Sequence, residues 1–198
     1  MLWSVMELAG RIAQGLMQDK TAVVTAARSL DRDALTAIFD EYAPAIYRYL
    51  LRLGVYPLEA DQVVGDVFAR LLDKLAEGKG PRTNLRSYLF QTAYHLVVDH
   101  SRDRQRNAPL DVADTIKEED QPVQAQTEEK MLLENLADAM KHELTEDQRN
   151  VLILRFQEEF SLQETADITG KNVNAIKALQ NRAIKKLREA LRNTDGGN

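Results

Sequence analysis

Cysteine is absent from the 198 residues. That excludes a disulfide framework, thiol catalysis and a zinc–thiolate site. Glycine (9) and proline (5) are scarce, and no stretch sustains the alternation of a strand. No apolar run reaches about 18 residues, so no insertion into a membrane is expected. The opening MLWSVMELAG lacks a basic start and carries Glu7, unlike a cleaved signal peptide. The expectation is a soluble protein of the cytoplasm. There is no nucleophile–base pair and no phosphate-cradling glycine loop, so neither an enzyme nor a cofactor is expected. His95 and Asp99 stand four apart and share a helical face, a spacing that two metal ligands use. No third ligand follows at a useful spacing, so they read as a polar surface pair and no metal is expected. His100 and His142 are isolated.

What is present is 44% apolar and 29% charged, enough for a core in one domain or two small ones. The net charge is −5, a poor match to nucleic acid, but its distribution is uneven. Residues 107–130 hold Asp111, Asp114, Glu118, Glu119, Asp120, Glu128 and Glu129 against Lys117 and Lys130. Residues 171–192 hold Lys171, Lys177, Arg182, Lys185, Lys186, Arg188 and Arg192 against Glu189 alone. This segregation points to a basic working face and an acidic strap.

The periodicity is helical almost throughout, and the fold class is all-α: two small helical domains joined by a flexible acidic linker. Residues 1–28 place Leu2, Met6, Ala9, Ile12 and Leu16 at helical spacing with Gly10 and Gly15 between them, which predicts a weak helix or helices. From Leu35 to Leu53 the apolar stripe is Leu35, Ile38, Phe39, Tyr42, Ile46, Tyr49, Leu50 and Leu53. Gly54 stops that helix and Pro57 opens the next, whose stripe is Val63, Val64, Val67, Phe68, Leu71, Leu72 and Leu75. EGKGPRTN (77–84) is a loop. A third long helix over 85–105 turns Leu85, Leu89, Ala93, Leu96 and Val97 inward. Helical pattern resumes from Met131 to about His142. Thr145 and Ser161 begin TEDQ and SLQE, two capping boxes. The first opens a helix through Val151, Leu152, Leu154 and Phe156, and the second a short helix through Ile168. Gly170 turns the chain into a basic helix from about Val173 to Leu191.

FSLQETADITGKNVNAIKALQNRAIKKL therefore reads as a capped helix, a glycine turn and a longer basic helix, the pattern of a helix-turn-helix. Ala166 is small where the two helices cross, and Ile168, Val173 and Ile176 close the core between them. The outward face of the second helix carries Asn174, Lys177, Ala178, Asn181, Arg182 and Lys185. Asn and Arg can pair with base edges, and Lys and Arg neutralise phosphates.

With these segments in view, the chain resembles a bacterial sigma factor of the extracytoplasmic-function (ECF) group of the sigma-70 superfamily, from about Leu35 to Leu191. The resembling stretches of the first module are IFDEYAPAIYRYLLRL (38–53), ADQVVGDVFARLLDKL (60–75) and NLRSYLFQTAYHLVVDHSRDR (84–104). The resemblance implies an N-terminal extension (1–30), sigma region 2 (31–106), the acidic linker (107–130), a sigma region 4 helix-turn-helix (131–193) and a tail (194–198). It implies core RNA polymerase and promoter DNA as partners, and commonly an anti-sigma factor. Asp61, Gln62, Asp66 and Phe68 match the surface that grips the beta-prime clamp of the polymerase, with Gly65-Asp66 where the family usually has Gln-Glu. For the melted −10 element, Lys79, Arg82, Thr83 and Asn84 match the reading loop. Arg86, Tyr88, His95, Asp99 and Arg102 lie on or near the matching helix, and His95 replaces a common Asn. Tyr94 is either a further ring for an unstacked base or a core residue. For the −35 duplex, Lys177, Ala178, Asn181 and Arg182 match the reading positions, and the upper part of that module would meet the beta flap. The linker would thread toward the active-site cleft and the RNA exit path as a polyanion that growing RNA displaces. The implied function is promoter recognition, DNA melting and transcription initiation. The alternative is a stand-alone helix-turn-helix regulator, which explains residues 160–192 but not the likeness across 38–104.

Overall fold

The computed structural model describes residues 22–107 and 128–195, with side chains over 22–101 and 135–192. The weak helices expected over 1–21 and most of the acidic linker, 108–127, lie outside them. Every regular element among the described residues is helical. The chain divides into two compact units, residues 1–97 and 98–198.

In the first unit, helix α1 spans residues 22–28 and a turn leads to α2, Arg32–Arg52. Asp31 caps α2, its Oδ1 accepting the Ala34 amide at 2.9 Å, so a lone orphan donor at the helix start is satisfied. Pro44 lies inside α2 on its exposed side. Gly54 follows at φ 88°, and Pro57 is the first residue of α3, Pro57–Ala76, where its missing N–H costs no bond. Helix α4 runs Leu85–Asn107.

The core of this unit is built from the expected stripes. Ile38, Ile46, Tyr49 and Leu50 of α2 meet Val63, Val67 and Leu71 of α3 and Leu89, Phe90 and Ala93 of α4, all at 2% exposure or less. The Tyr49 and Phe90 rings are tilted with centroids 5.1 Å apart. Each of the larger aliphatic side chains removed from water stabilises by about 1.5–3 kcal/mol. Two stripe residues depart from expectation. Phe39 is 47% exposed and Leu72 43%, although both were expected inside. They flank the seam between α2 and α3 on its open side, where the apolar stripes are wider than the contact they make.

The loop after α3 is drawn tight. Gly78 has φ 70°, and a Cβ on Gly80 would stand 2.4 Å from Leu75 Cδ2. Arg28 of α1 donates to the Gly80 carbonyl at 2.7 Å and to that of Gly78 at 3.2 Å. This clamps α1 to the end of α3.

The second unit holds α5 (Glu128–His142), α6 (Glu146–Leu152), a π-helical turn (Ile153–Gln157), α7 (Leu162–Thr169) and α8 (Val173–Asp195). Helix α5 starts three residues before the expected Met131. Both capping boxes form. Thr145 Oγ1 accepts the Gln148 amide at 3.3 Å while Gln148 returns an acceptor to Thr145 N at 3.1 Å. Ser161 and Glu164 do the same at 3.2 and 2.8 Å. The helix expected to run through Phe156 does not continue as an α-helix. It widens to a π-turn at Ile153, marked by the Glu158 amide donating to the Ile153 carbonyl at 2.9 Å. The extra residue per turn rotates the stripe. Val151, Leu152, Ile153 and Leu154 are all buried, while Phe156 turns outward at 58% exposure.

Two apolar clusters among the described residues help hold this unit. Ala139, Leu144, Leu152, Ala183 and Leu187 form one. Val151, Ala166 and Ile176 form the other, with Leu162, Val173 and Leu179 packed against it. Arg149 ties α6 to α5 by donating to the carbonyls of Met140 (3.1 Å) and Lys141 (2.9 Å). Lys186 of α8 donates to the Glu143 carbonyl at 2.9 Å.

Candidate nucleic-acid and polymerase interfaces

The helix-turn-helix forms as the sequence spacing predicts. Gly170 ends α7 in the left-handed conformation, φ 67°, and the Lys171 amide returns to the Ala166 carbonyl at 3.1 Å. That closes orphan carbonyls at the helix end. Asn172 then caps α8, its Oδ1 accepting the Ala175 amide at 2.8 Å. Lys171 pairs with Asp147 at 3.0 Å, so this cation joins the turn to α6 rather than the open face.

Helix α8 is sharply two-sided. Ile176, Ala183 and Leu187 are buried, and the opposite face exposes all six expected residues: Asn174, Lys177, Ala178, Asn181, Arg182 and Lys185. Arg182 Nε donates to the Ala178 carbonyl at 3.2 Å, which lays the guanidinium along the face. Lys185 approaches Glu189 at 3.8 Å, both exposed; such a pair is worth little and leaves the cation available to a phosphate. A cationic, amide-bearing helix face of this kind suits a major groove.

In the first unit the residues matched to single-strand capture separate into three places. Lys79, Arg82, Thr83 and Asn84 are all exposed on the loop, with Lys79 3.3 Å from Glu77. Glu77 accepts from Lys74 as well as Lys79, and these bonds hold its carboxyl below the usual carboxylate range. Asn84 takes φ 57°, a left-handed conformation that Asn tolerates better than most residues. Its carbonyl accepts the Tyr88 amide at 3.1 Å, starting α4.

Tyr88 and His95, seven residues apart on α4, come together in an open cleft of about 420 Å³. Thr92 and Gln91 line it from α4, and Arg70, Asp73, Lys74 and Glu77 from α3 and its end. Arg70 and Lys74 were not singled out in the sequence. Their four-residue spacing on the polar side of α3 is a signal, but only the crossing of α3 and α4 brings them to Tyr88. The cleft offers the Tyr88 ring, the His95 imidazole, an amide and a hydroxyl, and two cations set against the carboxylates of Asp73 and Glu77, with Lys74 3.0 Å from Glu77; a ring and polar groups of this kind can receive an unstacked base.

Arg86 sits apart from that cleft, its guanidinium carbon 5.3 Å from the centre of the Phe90 ring, a cation–π contact. Tyr94 is half-buried, its ring 5.8 Å from that of His95. Asp99 is exposed. The Arg102 side chain lies outside those described.

Of the residues matched to the clamp surface, Asp61, Gln62 and Asp66 are exposed on one side of α3 together with Gly65. Phe68 lies deeper than these three: it is 8% exposed, with its ring centroid 4.8 Å from that of Phe39, and Phe39 is the ring of the pair that meets solvent. An apolar groove of about 270 Å³ opens there between α2 and α3, lined by Arg32, Leu35, Thr36, Phe39, Phe68, Leu71 and Leu72.

Residues 38–107 match the sigma-70 region 2 family, and residues 142–189 match sigma-70 region 4. The chain belongs to the sigma-70 family, in its ECF group. It is 29% identical over 176 residues to the ECF RNA polymerase sigma factor BldN of Streptomyces coelicolor, a match that covers 85% of this chain and 64% of BldN. It is also 29% identical over 178 residues to the ECF RNA polymerase sigma factor SigD of Mycobacterium tuberculosis, covering 86% of this chain and 82% of SigD. In fold it is similar to the sigma factor RpoE of Bartonella quintana, solved in complex with the anti-sigma factor NepR. That likeness has a TM-score of 0.63 at 23% identity and covers 79% of this chain and 96% of RpoE. The region 2 match contains the α3 surface and the Tyr88–His95 cleft, and the region 4 match contains the exposed face of α8 as far as Lys185.

Proposed function

We propose that this ECF sigma factor binds core RNA polymerase and directs it to promoters, where it captures the melted −10 strand with its first unit and reads the −35 duplex with its second. The observation that carries the reading is the two-sidedness of α8. Six residues fit for bases and phosphates face outward from a helix whose other side is locked into the core by Ile176, Ala183 and Leu187. The division of work follows residues 31–106, a linker over 107–130 and residues 131–193. Asp61, Gln62 and Asp66 engage the beta-prime clamp, and the upper part of the second unit meets the beta flap. Tyr88 and His95 receive an unstacked base, and Lys79 and Arg82 hold the strand. The protein has no reaction of its own, acts in the cytoplasm with the polymerase, and takes an anti-sigma factor as a partner of the kind NepR is to RpoE. A stand-alone helix-turn-helix regulator would account for residues 142–189 and leave 38–107 without a role.

The test is a core-polymerase binding assay paired with in vitro transcription on genomic fragments. The reading expects stoichiometric binding and start sites that depend on the protein. Asp66→Arg reverses a charge on the exposed side of α3, so it should abolish directed transcription while leaving helical content intact. Persistence of transcription in that variant would remove α3 from the clamp contact; failure of the unaltered protein to direct any start would overturn the function itself.

A further inference from the structure

The loop that presents Lys79 and Arg82 has two glycines, Gly78 and Gly80, in its first half. Glycine leaves a backbone free to take many shapes, so the local sequence does not by itself hold this loop. Two bonds close the end of α3. The Gly78 amide donates to the Leu75 carbonyl at 2.9 Å, and the Lys79 amide to the Lys74 carbonyl at 2.8 Å. They satisfy orphan carbonyls of the helix and reach only as far as Lys79.

The next constraint comes from a distant part of the chain. Arg28 of α1 is half-buried, on a helix seated in the first unit by buried Val24 and Ala27. Its Nη1 donates to the Gly80 carbonyl at 2.7 Å and its Nη2 to the Gly78 carbonyl at 3.2 Å. The two acceptors flank Lys79. A guanidinium suits them because it is a rigid planar fork that can serve two acceptors at once, whereas an ammonium is a single point. Gly80 is buried, while Lys79, Arg82 and Thr83 are exposed. The loop thus has an inner edge of backbone, gripped by Arg28, and an outer edge of side chains. Beyond Gly80 the ring of Pro81 fixes its own φ near about −65°, so a carbonyl held at Gly80 also restricts where Arg82 stands.

We infer that Arg28 is a positioning residue for capture of the melted strand: by holding the carbonyls on either side of Lys79, it fixes the loop in the shape that presents Lys79 and Arg82 together. The role in capture rests on the function proposed above; the latch itself does not. A loop ordered in advance spares binding the cost of ordering it. A loop that keeps the competent shape only one-tenth of the time weakens apparent affinity for the strand about tenfold.

Holoenzymes assembled from core polymerase with the unaltered chain, Arg28→Ala or Arg28→Lys provide the test. The probe is a single-stranded oligonucleotide of the −10 region from a start site that the protein directs. Affinity for it should fall about tenfold with Arg28→Ala, and Arg28→Lys should fall between the two, since one nitrogen cannot reproduce the fork. Affinity for core polymerase and for the −35 duplex should not change. Unchanged strand affinity would overturn the positioning role; so would an equal loss of all three affinities, which would mark Arg28 as a general staple of the fold. Lys79→Ala together with Arg82→Ala removes the side chains that the loop presents. In that background Arg28→Ala should cost the strand nothing further, because residues that act through one another do not add. A full additional loss there would overturn the route through the loop.

Amide hydrogen exchange of the full chain reads the latch without DNA. The amides of Arg82 and Thr83 should exchange several-fold faster in Arg28→Ala, while those of Leu89 and Phe90, in the core of α4, should not change. Unaltered exchange in the loop would overturn the latch, and faster exchange at Leu89 and Phe90 as well would overturn its local action. Absence of strand binding by the unaltered holoenzyme would instead sink the strand-reading function and the part given to Arg28 in it, leaving exchange to judge the latch alone.

Discussion

Arg155 of the π-helical turn donates through Nε to Gln180 Oε1 of α8 at 3.3 Å, and through Nη1 to the Phe160 carbonyl. One half-buried guanidinium thus joins the turn, the start of the helix-turn-helix and the reading helix. Gln180 is half-buried beside exposed Asn181, so it sets the pose of α8 without standing on the reading face. Gln180→Leu should cost about 1 kcal/mol, the worth of a hydrogen bond that leaves a partner under-satisfied. Thermal unfolding should show the midpoint fall by about 4–8 °C if the unit melts on its own. Affinity for duplex should fall a few-fold with an unchanged salt slope, which separates positioning from phosphate contact.

Arg182 should behave in the opposite way. Its guanidinium lies along the exposed face of α8, so Arg182→Ala takes little from the core and, on the proposed function, removes a contact to DNA. Binding to the cognate duplex should weaken, and the slope of log affinity against log salt should flatten by about one unit if the contact is to a phosphate. Titration of binding across a salt series checks this; an unaltered affinity and slope would take Arg182 out of the interface.

Two glycines should respond in opposite directions to the same substitution. Gly65 lies exposed within α3 and a Cβ there meets nothing within 4 Å, so Gly65→Ala should stabilise by about 1 kcal/mol through helix propensity alone. Gly170 also has open space for a Cβ but sits at φ 67°, where an L side chain is strained. Gly170→Ala should therefore cost about 1–2 kcal/mol, with Gly170→Asn costing less. Chemical denaturation of the three variants would test both signs. A stabilising Gly170→Ala would contradict the left-handed cap.

Tyr42 provides a pH signature. Burial in the α2 core raises its hydroxyl pKa from 10.0 to about 12, helped by the charge and hydrogen bond of Glu41 and opposed by Arg86. The native state therefore holds the proton more tightly than the unfolded chain. The resulting stability is complete below about pH 10 and is lost as pH rises toward 12. Absorbance titration should find one tyrosine ionising late, and Tyr42→Phe should lose less stability than the parent across that window. Equal losses would place the late-titrating hydroxyl elsewhere.

The helix-turn-helix was legible because every one of its determinants is local. Ser161 with Glu164, Gly170, and the spacing of Ile176, Ala183 and Leu187 act within a few residues, and the structure places the six outward residues of α8 as that spacing requires. The Tyr88–His95 cleft was legible only in part. Tyr88 and His95 share a helix face, but Arg70 and Lys74 join them through the crossing of α3 over α4, which no local pattern records. Phe68 was given two places by the sequence, in the apolar stripe and on the matched surface, and its packing against Phe39 leaves it 8% exposed.

The amino-acid order by itself determined the all-helical class, both capping boxes, the glycine that turns α7 into α8 and the cationic face of α8, because each depends on period and on neighbours within one or two turns. Tertiary structure alone decided which members of a stripe reach the core. Phe39 and Leu72 stay open because the α2–α3 contact is narrower than the apolar faces that make it. Phe156 leaves the core because a π-turn rotates the helix under it. Packing selects among the options that periodicity allows, and that selection depends on residues far apart in the chain.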